Sequence, residues 1–181
     1  MCFKKNNATK KYLKKMKEKL EQTKFIIGRF DSYIESTQTK SNLYLALNTA
    51  ILAGIITIAT STKPEDATLF SIIVMGVIAL LAIISITITL IAITPYLKST
   101  SNKKASIIFF QDVTKYTFEE YVDKINTISD KKFLLDLTCQ VYSLAEGLKI
   151  KYQKLFYAGR IIIIEFILLL IYLITLISKF I

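Results

Sequence analysis

Apolar residues in this chain follow two patterns that run into each other. Long unbroken stretches occupy Leu43 to Thr60, Leu69 to Ile93 and Ile161 to Ile177, and beside them lie seams in which apolar residues return every three or four positions. A helix needs about 20 mostly apolar residues to cross the ~30 Å hydrocarbon core of a bilayer. The middle stretch supplies 25 residues without a charge. The first has 18 uncharged residues and can borrow Asn42 or Ser61, while the third contains Glu165 and is lengthened by Leu155 to Ala158. The pattern predicts an all-α membrane protein with three transmembrane helices, over residues 42–60, 69–95 and 161–178.

The seams extend two of these helices beyond the membrane. Leu13, Leu20, Ile27, Ile34, Ser41 and Asn48 fall seven apart, with Met16, Thr23, Phe30, Thr37, Tyr44 and Ile51 interleaved, which is the a/d spacing of a packed helical seam. No proline interrupts residues 9–60, and Gly28 and Gly54 cost only about 1 kcal/mol each in a helix. About fifty residues then make one rod of roughly 75 Å. The same alternation runs from Leu134 through Leu148, Lys151, Leu155, Ile162 and Glu165 to Lys179. Both rods rise in the same direction, so they are expected to pack as parallel neighbours, within a chain or between chains, in a cytoplasmic helical bundle. The basic segment 1–41 and the segment 96–160 supply it.

Between the rods, Pro95 ends or kinks the second span and Lys98 to Lys104 reads as a polar loop. Ile107, Ile108, Phe109 and Phe110 form an apolar run within Ser106 to Lys115 whose short length fits a strand or a buried helical turn equally. Thr117 and Glu120 make a capping box for a helix over Phe118 to Ile125, and Ser129 is placed to cap the second rod. Thr62 with Glu65 is a similar box before the second span. Inside the membrane, Ser71, Ile78, Ala82, Ser85 and Thr89 share one face of that span. Ala46, Ala50, Ala53, Thr57 and Thr60 share one face of the first; small faces let helices approach closely, and a water-lined path is the competing reading. Glu165 lies about one and a half turns from Arg160; a carboxylate at that depth either snorkels to the interface or faces inward with a function.

Charge adds an orientation. Residues 1–41 hold eleven Lys/Arg against four Asp/Glu, Lys63 to Asp66 one against two, and residues 97–160 eleven against seven. The positive-inside rule places the N-terminus and the middle segment in the cytoplasm. The net charge of +10 therefore reads as a topology signal with a contribution from anionic lipid, and needs no nucleic acid. The first 24 residues lack an apolar h-region, so the first span is expected to act as its own insertion signal. Cys2 and Cys139 fall on the reducing side without a CxxC or Cys/His cluster and carry no assigned chemistry; a thiol as near a basic terminus as Cys2 is open to acylation in a suitable cell.

The chain has no histidine, five glycines, no phosphate loop, no GxSxG and no spaced metal ligands, so it is read as a non-enzyme without metal or cofactor. Glu119, Glu120 and Asp123 stand beside Lys115 and Lys124 as a solvated face. One constellation points to a ligand. Arg29, Tyr33, Ser36 and Lys40 share a helical face, with Asp31 nearby; arginine can grip a phosphate bidentately while a ring stacks on a heterocycle. A solvated basic face is the competing reading.

The run GRFDSYIESTQTKSNLYLALNTAIL resembles the opening signature of the transmembrane effectors of Pycsar, the bacterial antiphage system that signals with cyclic pyrimidine mononucleotides. SIIFFQDV, EEYVDKI and LLDLTCQVYSLAEGLKIKYQKL follow in that family's order, so the resemblance covers residues 28 to about 175. Gln38 and Gln111 stand where the pattern has asparagine and glycine. The resemblance implies an effector that senses cyclic CMP or cyclic UMP, made by a partner pyrimidine nucleotide cyclase, and then damages the bacterial inner membrane to abort infection. It implies that Arg29, Asp31, Tyr33, Thr37 and Lys40, with Phe110, Tyr121, Asp136, Gln140 and Lys151, are candidate ligand residues. Arg29 and Lys40 would meet phosphate, Tyr33 or Phe110 would stack on the pyrimidine, and Asp136 or Gln140 would read its edge or the ribose. Asn48, Lys151 and Glu165 interrupt the apolar seams and are candidates for gating. A homo-oligomer is expected, because three spans form no obvious pore alone. The alternatives from other classes are a membrane scaffold that binds no small molecule and a holin-like pore former.

Overall fold

The structure, a computed structural model, describes residues 2–62, 68–95 and 105–178, with side chains from residue 10 onward. Among these residues the chain is helical and contains no strand. Its elements are α1 (Cys2–Ser61), α2 (Leu69–Ile93), α3 (Phe110–Val113), α4 (Phe118–Thr127) and α5 (Asp130–Ile177). α1, α2 and α5 are each long and apolar enough to cross a membrane.

The helix ends follow local chemistry. Thr68, not the expected Thr62 and Glu65 pair, caps α2: its Oγ1 accepts the Ser71 N–H at 3.3 Å. Thr62 instead closes the last turn of α1, donating its hydroxyl to the Ile58 carbonyl at 2.8 Å, and Glu65 lies outside the described residues. α2 stops before Thr94 because Pro95 forces the residue ahead of it out of the helical region, to ψ 139°. The Thr117 and Glu120 box is formed in full, with Glu120 N–H donating to Thr117 Oγ1 at 3.2 Å and Thr117 N–H to Glu120 Oε2 at 3.0 Å. Ser129 precedes α5, and its carbonyl accepts the Phe133 N–H at 3.0 Å. The Ile107 to Phe110 run is a bend leading into the single turn of α3. The expected loop Lys98 to Lys104, the connection Lys63 to Asp66, Lys179 and the Cys2 side chain lie outside the described residues.

The chain divides into two compact units. One comprises residues 1–34 and 96–148, the other residues 35–95 and 149–181. In the second unit, Ile51 and Ile55 of α1, Ile78 and Ala82 of α2, and Leu168 and Leu169 of α5 share one core. Asn48 bonds Ser85, so residue numbers rise along α1 as they fall along α2: these two are antiparallel. Lys40 lies by Tyr152 and Tyr44 by Gly159, so α5 runs parallel to α1 in this unit, as the seams predict. The buried stripes are Thr37, Ser41, Asn48, Ile51 and Ile55 on α1, and Leu155, Ala158, Ile162, Glu165 and Tyr172 on α5.

One expected face is reversed. Ala46, Ala50, Ala53, Thr57 and Thr60 are exposed rather than packed. The two threonines satisfy themselves by donating to Ala53 and Ile56 carbonyls at 2.9 Å, so their hydroxyls need no neighbouring helix. Close approach comes instead from α2, where Ala82, Ser85, Thr89 and Ala92 are buried, and from Gly159.

Candidate functional site

The second unit sets a few polar side chains into its apolar core and turns large apolar side chains outward. Leu80, Ile83 and Ile84 of α2 and Ile163, Ile164, Phe166 and Ile167 of α5 are exposed, whereas Asn48, Ser85, Thr89 and Glu165 are fully buried. An apolar exterior with the polar groups kept inside suits a molecule whose surroundings are hydrocarbon. Its interior bonds link all three helices. Asn48 Nδ2 donates to Ser85 Oγ at 3.1 Å and to the Tyr44 carbonyl at 2.8 Å, and Ser85 Oγ donates to the Ala158 carbonyl of α5 at 3.4 Å. One turn along α2, the Thr89 hydroxyl donates to the Ser85 carbonyl at 2.8 Å.

Two side chains in this seam are incompletely answered. Asn48 Oδ1 and both carboxyl oxygens of Glu165 have no hydrogen-bond partner. Glu165 stands two turns, ~10 Å, beyond Ala158 on α5, and the antiparallel register brings Ile55 and Ile78 to that level. It faces inward rather than snorkelling. Arg160, its expected interfacial neighbour, holds its guanidinium over the Phe156 ring at 5.1 Å. Ahead of the apolar stretch of α5, Lys151 Nζ donates to the carbonyl of Ile93, the last residue of α2, at 3.5 Å. Burial there, with Lys154 beside it, pulls its pKa below the ordinary lysine value.

The first unit holds a second polar cluster, built around Ser106. Its hydroxyl donates to Asp136 Oδ2 at 2.9 Å and accepts the N–H groups of Ile108 and Phe109 at 3.1 and 3.0 Å. Ile107 N–H also donates to Asp136 Oδ2 at 2.9 Å, and Ser106 N–H to Asp112 Oδ2 at 3.0 Å. Tyr121 of α4 donates its phenol to the Ile107 carbonyl at 3.0 Å. The bend is thereby fastened to α3, α4 and α5. Beside it opens a cleft of about 440 Å³ lined by Ile107, Ile108, Tyr121, Ile125, Ile128, Asp130 and Phe133, within the range of small-molecule sites.

The sequence-expected residues divide between the two units. In the first, Arg29 and Tyr33 are paired: the guanidinium donates to the phenol oxygen at 2.8 Å and lies 5.4 Å from the ring centroid. Asp31 is exposed on the same helix. Tyr121 and Asp136 meet at the bend, Phe110 is 60% exposed with its ring 5.1 Å from that of Phe109, and Gln140 is half-buried. In the second unit, Thr37 is buried, Lys40 lies over the Tyr152 ring at 5.3 Å, and Lys151 is half-buried. Sequence reasoning missed Ser106 and Asp112. Their signal was a serine opening an apolar run, where its hydroxyl can accept nearby backbone N–H groups, with aspartate and lysine three apart closing it. Tyr44 against Gly159 left no signal in the sequence.

A family model described as the Pycsar effector protein domain matches residues 22–178. No curated protein and no solved structure matches the chain.

Proposed function

The chain belongs to the Pycsar effector family, and from that premise we propose that this membrane protein senses cyclic CMP or cyclic UMP and answers by breaching the bacterial inner membrane. Its role is that of an antiphage effector rather than a cyclase, in a cyclic-nucleotide signalling context. The N-terminus and residues 96–160 face the cytoplasm, where the nucleotide is made by a partner cyclase. Membrane failure then aborts the infection.

The observation that carries this reading is the three-helix unit with apolar residues outside and Asn48, Ser85, Thr89 and Glu165 buried inside. A span needed only as an anchor has no use for an unpartnered carboxyl, which costs several kcal/mol in hydrocarbon. A seam that opens to water does. On the sensing side, the paired Arg29 and Tyr33 offer a phosphate grip and a stacking ring, with Asp31 beside them. Phe110, Tyr121, Asp136 and Gln140 are the groups for base and ribose. Thr37, Lys40 and Lys151 border the span and join sensing to opening. The nucleotide shifts the helices by binding the open arrangement better than the closed one. Several copies assemble, because three helices enclose no conduit alone.

The test is leakage of dye-loaded vesicles carrying the purified protein, with cyclic CMP, cyclic UMP and a purine cyclic nucleotide compared, alongside calorimetry of the same ligands. Leak with one pyrimidine nucleotide and not with the purine is expected. Absence of both binding and leak with either pyrimidine overturns the reading.

A further inference from the structure

Glu165 is the single charged residue in the spans 42–60, 69–93 and 161–177. Its two oxygens, fully buried, meet no donor. The outer faces of the three helices offer water nothing comparable. On α2 and α5 they are mainly isoleucine, leucine and phenylalanine and on α1 mainly alanine and threonine, and the exposed hydroxyls of Thr49, Thr57 and Thr87 already donate to carbonyls of their own helix at 2.8 to 2.9 Å. A path for water along this unit therefore follows the inner seam, past Asn48 Oδ1, Ser85 and Glu165.

We infer that, once the helices part, this seam lines the breach and Glu165 makes it a path for inorganic cations in preference to anions. The inference rests on the proposed membrane-breaching function and adds what passes. Its physical basis is the sign of the fixed charge. With no arginine or lysine inside any span, the only full charge that an opened seam carries between its ends is negative, and a carboxylate ring at a constriction attracts cations and repels anions. Separation of the helices is favoured by the same group, because water supplies the hydrogen bonds that the closed arrangement withholds.

The test is the reversal potential of nucleotide-triggered current in a planar bilayer under a potassium chloride gradient, using cyclic CMP and cyclic UMP in turn. Potassium is expected to be preferred over chloride by about threefold or more. Whatever current Glu165→Gln carries should show a ratio near one, and that of Glu165→Lys a reversed preference. Current without ion preference in the natural protein, or a Glu165→Gln ratio unchanged from it, overturns the inference and leaves membrane breaching standing. A bilayer that stays sealed with both nucleotides overturns the proposed function and the inference together. A second measurement needs no selectivity. In a chain with Cys2→Ser and Cys139→Ser, Ser85→Cys should react with a charged, water-soluble thiol reagent only when nucleotide is present, while lipid-facing Ile83→Cys stays unmodified. Equal reaction at both positions, or reaction at neither, counts against a water path along the seam.

Discussion

Asn48 joins three helices by a short relay: its amide reaches Ser85, whose hydroxyl reaches the Ala158 carbonyl. Hydrogen bonds between helices in a membrane average about 0.6 kcal/mol and reach about 1.7. Asn48→Ala and Ser85→Ala should each lower stability in detergent by about that much. The double variant should lose less than their sum, because the two share a bond; denaturant titration of the four proteins checks this. Gly159 has a different reason for its identity. A Cβ there would meet Tyr44 Oη at 2.7 Å and Cζ at 3.2 Å, so Gly159→Ala should displace the Tyr44 ring despite the better helix propensity of alanine. Adding Tyr44→Phe removes the nearer contact. The double variant should recover most of the melting temperature that Gly159→Ala loses. Lys151 makes a pH prediction. Burial, then Lys154, lowers its pKa in the folded protein, so between that lowered value and the ordinary 10.5 the unfolded chain holds a proton that the folded chain has released. Stability therefore gains as pH rises through that window, and the gain is absent below it. Melting curves from neutral to alkaline pH should show the rise, and Lys151→Met should flatten it.

At the scale of elements, periodicity revealed more than residue size. The three-four alternation located the buried stripes of α1 and α5, including the polar members Thr37, Ser41, Asn48 and Glu165, because a helix that packs along one face must repeat near 3.5 residues whatever fills the positions. Size misled on α1, where the alanine-rich face is exposed. Its branched Ile51 and Ile55 fit against Ile78 and Ala82 instead, so the small partner needed for packing sits on α2. The bend at residues 106–109 was the least legible element. Its shape depends on Asp136, 30 residues away, accepting from Ser106 and Ile107. Ser106→Ala removes one donor and leaves Ile108 and Phe109 N–H groups without their acceptor, and should cost about 1–3 kcal/mol. Faster hydrogen exchange across residues 106–113, with α2 unaffected, is the expected signature.

For the whole molecule, what matters is that α1 and α5 are each one helix over Cys2–Ser61 and Asp130–Ile177. The proposed sensing requires that continuity. Glu35→Pro, at an exposed position of α1, removes a backbone bond and kinks the helix at about 3 kcal/mol. Nucleotide binding by calorimetry should persist while vesicle leak is lost; leak at the natural level would show that α1 transmits nothing. The amino-acid order by itself determined the helical class, the three helices long and apolar enough to cross a membrane, the stripes that pack and the family motifs. Each of these depends on spacing along one helix or on composition over about 20 residues, and both are local properties. Only the tertiary structure decided which polar atoms are answered. Asn48 found Ser85, Asp136 and Tyr121 were drawn to the backbone of the bend, and Glu165 was left inside without a partner. Hydrogen bonds between residues 30 to 73 positions apart depend on helix register and rotation, and no local pattern specifies those.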